Sequence, residues 1–86
     1  MTNEKITEML NAENISINNG NSYQSAASLT AEQVEEVFDR IDTRTMEDPA
    51  EMNYAEEASS EIENELEAKR IYVAAIADWK GEIAIG

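Results

Sequence analysis

Eighty-six residues with a formal charge of −13, six basic side chains against nineteen acidic ones, describe one small domain whose core lies near the lower limit for independent folding. The chain has no cysteine and no histidine, which excludes disulfides, thiolate chemistry and the commonest neutral-pH acid–base group and metal ligand. Its hydrophobic fraction of 42%, periodically distributed, argues against a disordered acidic tail, and no stretch approaches the roughly 20 apolar residues of a membrane span, so a soluble, cytoplasmic protein is the expectation.

In chain order, Ile6, Met9 and Leu10 fall at i, i+3, i+4 behind Thr2 as a cap, which predicts a short helix over about residues 3 to 12. Residues 14 to 28 are rich in Asn and Ser and read either as a solvated loop or as a small β-hairpin over about 14 to 25. The hairpin reading rests on Ile15 and Ile17 alternating ahead of Asn19-Gly20, a pair suited to the two positive-φ positions of a tight turn.

Leu29-Thr30-Ala31-Glu32-Gln33-Val34 carries a helix start: the Thr30 hydroxyl caps, Gln33 reaches back, and Leu29 meets Val34 as a hydrophobic staple. Val34, Val37, Phe38 and Ile41 then share one face, while Glu32, Glu35, Glu36, Asp39 and Asp42 gather on the opposite one, predicting an acidic amphipathic helix over about 31 to 44 with Glu36 and Arg40 as an i, i+4 pair.

Asp48-Pro49-Ala50-Glu51 restarts the chain with a capping carboxylate and a proline at the first helical position. Ala55, Ala58, Ile62, Leu66, Val73 and Ile76 form one stripe, and from Ile71 to Trp79 almost no polar face is left, the mark of a buried helix. The prediction is one long helix over about 49 to 79, acidic first and embedded second; a break near Lys69-Arg70 and a buried strand over 70 to 76 remain open alternatives. After Gly81, Glu82-Ile83-Ala84-Ile85 alternates as a short C-terminal strand would, beside the hairpin. The fold class expected is mainly α, with α+β as the alternative.

Between Glu32 and Glu67 stand fourteen carboxylates and two arginines, and from Thr45 to Ala68 no basic residue occurs. A charge run is ordinarily a solvated face, but ordinary soluble helices intersperse both signs, so this field points to a basic partner. Catalysis is not expected: acids spread over helical exteriors lack a cleft to separate their roles, and no phosphate-binding glycine loop, nucleophile elbow or metal-ligand pair is present. Asp39-Arg40-Ile41-Asp42 lacks the acid spacing and glycine of a calcium loop. No catalytic residue, cofactor or metal is therefore assigned.

Duplex DNA presents about one negative charge per 1.7 Å of axis, so an excess of about twelve imitates roughly 20 Å of it, and two helices carry charge over a comparable span. In size, charge and layout the whole chain resembles the small acidic phage-encoded inhibitors that mimic nucleic acid, the anti-CRISPR, anti-restriction and uracil-DNA glycosylase inhibitor groups, although no family motif is matched. That resemblance implies a non-catalytic inhibitor in the host bacterial cytoplasm. It would occupy the basic DNA- or RNA-binding groove of a bacterial defence or repair protein and bind no nucleic acid itself. The partner-binding residues named from their placement are Glu32, Glu35, Glu36, Asp39 and Asp42 on the first acidic helix, and Tyr54, Glu56, Glu57, Glu61, Glu63, Glu65 and Glu67 on the second. The alternative is an acidic partner-binding protein, an antitoxin or an inhibitor of a regulatory factor, in which charge steers association and an apolar anchor supplies affinity. Trp79, Tyr72 and Tyr54 are its candidate anchors, Trp79 and Tyr72 being expected in the core and Tyr54, amid carboxylates, at the surface. The apolar half of the long helix also leaves a homodimer open.

Overall fold

The computed structural model describes residues 1–17, 22–44 and 48–85, with the backbone alone for 42–44. Its elements in order are α1 (Asn3–Asn11), β1 (Ile15–Ser16), a 3₁₀ turn (Ala26–Ser28), α2 (Ala31–Arg44), α3 (Pro49–Ser59), α4 (Glu65–Lys80) and β2 (Ile83–Ala84). The fold is mainly helical with a small parallel two-stranded sheet.

Each helix begins where a side chain satisfies its open amides. Thr2 Oγ1 accepts from the Lys5 amide at 3.2 Å. At α2 the capping box closes in both directions, the Gln33 amide donating to Thr30 Oγ1 at 3.2 Å and the Thr30 amide to Gln33 Oε1 at 2.9 Å, with Leu29 and Val34 both buried. Asp48 caps α3 through the Ala50 amide at 3.0 Å, with Pro49 in the first turn.

The single helix expected over 49–79 is instead two helices, separated at Ser60–Asn64. The Ser59 and Ser60 hydroxyls donate back to the carbonyls of Ala55 (2.9 Å) and Glu57 (3.2 Å), competing for the acceptors of the last turn of α3. Asn64 then caps a new start, its Oδ1 accepting from the Glu67 amide at 3.0 Å. Helix α4 runs unbroken through Lys69–Arg70 and through 70–76, so neither the alternative break nor the alternative strand forms.

The break lets α4 fold back antiparallel on α3, as two cross-links show: Lys80 Nζ lies 3.3 Å from Glu51, and the Tyr54 hydroxyl donates to Asp78 at 2.6 Å. Helix α2 runs in the same direction as α4. Lys69 reaches Glu35 at 3.2 Å near the start of both, Phe38 meets Tyr72 edge-on at 5.3 Å, and Ile41 shares a cleft with Lys80 at the far end. Helix α1 crosses them, burying Met9 and placing Lys5 3.3 Å from Asp78. Ile71, Val73, Ala74, Ala75, Ile76 and Ala77 are all buried, so the apolar-all-round stretch is the central helix, and its alanines let three neighbours approach closely.

Gly81, at φ +88°, turns the chain out of α4 into β2, a conformation that a side chain would strain. β2 pairs parallel with β1 in the register Ile15↔Ile83 and Ser16↔Ala84, and the Ile83 and Ile85 amides donate to the Asn14 and Ser16 carbonyls at 2.8 Å. On its other side Ile15 exchanges both backbone hydrogen bonds with Gln24, at 2.7 and 3.1 Å, an antiparallel bridge that matches the base of the expected hairpin. The Asn19-Gly20 turn lies outside the described residues. Among these, no helix is long and apolar enough to cross a membrane.

Candidate acidic interaction surface

The helix directions gather the carboxylates at one end of the molecule. With α2 parallel and α3 antiparallel to α4, the first half of α2, the last turn of α3, the Ser60–Asn64 link and the first turn of α4 lie side by side. That end carries Glu32, Glu35, Glu36, Glu56, Glu57, Glu61, Glu63, Glu65 and Glu67, every one exposed. Asp39 is exposed further along α2, and the Asp42 side chain lies outside the described residues.

Among the described residues, the basic side chains are turned onto the protein's own fold. Lys69 contacts Glu35 at 3.2 Å and Glu65 at 3.7 Å, with its ammonium 5.3 Å from the centre of the Phe38 ring. Its pKa is raised above the ordinary lysine value, chiefly by the hydrogen bond to Glu35; burial opposes the shift, and the charges of Glu35, Glu65 and Asp39 add to it. Arg70 donates through Nη1 to the Ala26 and Leu29 carbonyls at 2.8 and 2.7 Å while its Nε holds Glu67 at 3.3 Å, fastening the 3₁₀ turn to α4. Arg40 meets Glu36 at 3.9 Å as the spacing predicted, and the amino terminus meets Glu57 at 3.7 Å.

The twelve predicted contact residues therefore divide. Glu35, Glu36, Glu57, Glu65 and Glu67 each have one internal cationic partner. Glu32, Asp39, Glu56, Glu61 and Glu63 have no ion pair among the described residues. An acid gripped at one oxygen by a cation from below still offers acceptor positions outward, so the pairs order the surface without removing it.

Tyr54 departs from expectation. It is half-buried toward the other end of α3, its hydroxyl donating to Asp78 and approaching the Met9 sulfur at 3.6 Å, its ring 5.3 Å from Trp79. Burial first, then the bond to Asp78, pushes its phenol up to about 12. Trp79 departs in the opposite sense: expected in the core, it is 47% exposed. Tyr72 is half-buried against Phe38.

Two structural carboxylates were missed. Glu51 is only 4% exposed; it belongs with Ala55 and Ala58 at i, i+4, i+7, a stripe the sequence displays. Its Oε1 sits 3.3 Å from Lys80 Nζ as a contact of charges, at an angle that makes no hydrogen bond. Asp78 is the one acid within the apolar run Ile71–Trp79, and that isolation is the signal that it serves the interior, where it takes Tyr54 and Lys5.

A cleft of about 210 Å³ opens between the ends of α2 and α4 and strand β2. Glu82, which lines it, accepts the Tyr23 hydroxyl at 2.7 Å, which raises the Tyr23 pKa. Among the described residues no group of three or more Asp or Glu is placed to hold a metal ion. No family model matches the chain, and neither a curated protein nor a solved structure similar to it was found.

Proposed function

We propose that this protein is a non-catalytic acidic inhibitor that mimics nucleic acid, its acidic end occupying the basic DNA- or RNA-binding groove of a bacterial defence or repair protein in the host cytoplasm. One observation carries the reading: nine exposed carboxylates from three helices and one link converge on one end of an ordered scaffold, while the basic side chains that the structure describes, Lys5, Arg40, Lys69, Arg70 and Lys80, are each spent on an internal contact.

The length scale supports it. The molecule's longest Cα dimension is 32 Å, over which duplex DNA would carry about 19 charges at one per 1.7 Å. The chain's −13 is about two thirds of that density. Carboxylates held by helices replace phosphates on the groove's arginines and lysines, which accept them as charge-assisted, often bidentate partners. Because the scaffold is already folded, little ordering entropy opposes association, and the field speeds encounter with a basic surface. Inhibition is then competition for a groove, with no bond made or broken.

The test is capture from a bacterial lysate on the immobilised protein, at low and high salt, with elution by duplex DNA or RNA. The expected bound protein leaves on adding salt or nucleic acid, and Glu61→Lys with Glu63→Lys, which breaks no ion pair among the described residues, abolishes capture with the fold retained. Capture indifferent to nucleic acid, or surviving the double reversal, would overturn the reading.

A further inference from the structure

Trp79 is the chain's single tryptophan and stands 47% exposed at the last turn of α4, although the residues just before it, Val73 to Ala77, are all buried. It is not a lone surface ring. Tyr54 lies beneath it at 5.3 Å, tilted by 49°, and is itself locked by its hydroxyl on Asp78, so the pair is a fixed two-ring platform.

The molecule displays the occupied form of such a platform elsewhere. At the acidic end, Lys69 stands over the Phe38 ring, which is edge-on to Tyr72, and carboxylates flank the ammonium. At the Trp79 end the aromatic pair is present, and Asp78 and Glu51 lie near it on the same two helices. The nearby cations are engaged on those carboxylates: Lys5 on Asp78, Lys80 on Glu51. Among the described residues, the cation–ring contact is at Phe38.

We infer that Trp79, backed by Tyr54, receives an arginine side chain from a basic protein partner, the guanidinium stacking on the exposed indole. Charge complementarity selects this occupant. A chain of net charge −13 draws cationic side chains to its surface, and the indole is the ring that holds a cation best. Guanidinium is planar and weakly hydrated, so it stacks on a ring at less desolvation cost than an ammonium does. The platform lies about 20 Å along α4 from the acidic end, a span that one extended basic segment can cover. The inference rests on the proposed function only for the partner's basic character.

Octa-arginine and octa-lysine, titrated into the full chain, are the probes. Tryptophan emission reports Trp79 alone, and calorimetry reports binding at all sites. Octa-arginine is expected to quench or shift the emission more than octa-lysine does. Trp79→Ala and Trp79→Leu, the second keeping an apolar cover over Tyr54, are each expected to weaken octa-arginine binding about two- to fivefold and to leave octa-lysine nearly unchanged. Binding of both peptides with the emission unmoved, or with Trp79→Leu and Trp79→Ala neutral, overturns this inference and leaves the acidic-end reading intact. Binding of neither peptide overturns both.

Discussion

Replacing Lys80 with methionine should destabilise the protein far more than replacing its partner Glu51 with glutamine. The two charges lie 3.3 Å apart, the carboxylate 4% exposed at the start of α3 and the ammonium side chain 40% exposed at the end of α4. At an effective dielectric of about 20 their attraction is about 5 kcal/mol, and solvent at the lysine end together with desolvation of the pair reduces the net contribution to about 2 kcal/mol. Lys80 also faces the negative end of the α4 dipole, adding about 0.5 kcal/mol. Removing it strands a buried carboxylate, so Lys80→Met should lose about 2–3 kcal/mol, or about 10–20 °C in Tm for a domain of this size. A domain of 86 residues has about 4–13 kcal/mol in all. Glu51→Gln removes the charge but keeps the shape and frees Lys80 to water, and should stay within about 1 kcal/mol of the parent. The double variant should resemble Glu51→Gln alone. Thermal and urea unfolding followed by circular dichroism decide it: a Lys80→Met shift under about 4 °C, or a double variant as unstable as Lys80→Met, refutes the reasoning.

Asn64→Ala removes the cap that starts α4 and should cost about 1 kcal/mol, read as a fall of about 4–8 °C in Tm. A phenol whose folded value is raised from 10.0 to about 12 contributes stability that is fully present below pH about 10 and is lost as the pH rises through about 12. Tyrosinate absorbance should therefore show a late component that Tyr54→Phe abolishes. Glu61→Lys with Glu63→Lys relieves self-repulsion, so its Tm should rise above the parent's at low salt and converge with it at high salt; equal Tm values at low salt would deny that the acidic end is under strain.

The helix starts were legible because their chemistry is local: Thr2, Thr30 with Gln33, and Asp48-Pro49 each act within three residues. The division of the long helix was also written in the chain, since Ser59-Ser60 and Asn64 three residues ahead of Glu67 are stop and start signals. Ala58, Ile62 and Leu66 stay in helical phase across the break, however, and periodicity outweighed the cap. Tyr54 was placed by its acidic neighbours, although its own i, i+4 relation to Ala58 puts it toward α4. Trp79 was placed by the apolar run before it, but helix α4 ends one residue later and its last turn lacks cover on one side. Which acids would be neutralised was legible only within a helix, as for Glu36 with Arg40. Lys69 and Glu35 are 34 residues apart and meet only because α2 and α4 pack in parallel.

The placement of the acids is poorly explained by stability. Glu32 on α2 and Glu65 and Glu67 on α4 sit in first turns, where the helix dipole favours a negative charge. Glu56 and Glu57 stand toward the opposite pole, near the C-terminal end of α3, whose last turn has no basic residue, and Glu61 and Glu63 extend the negative charge into the link beyond. A chain shaped only for a firm fold would put lysine there, as it does at the end of α4. Retaining carboxylates at that pole sacrifices stability for a continuous negative surface, the trade expected of a binding site. Glu56→Gln, an exposed position with no internal ion pair among the described residues, should accordingly raise Tm by about 2–4 °C at low salt, from about 0.5 kcal/mol of relieved dipole and charge repulsion. Under the proposed function, the same substitution should also weaken capture of a basic partner. A variant that is both steadier and fully competent would mean that the charge at the end of α3 has no part in recognition.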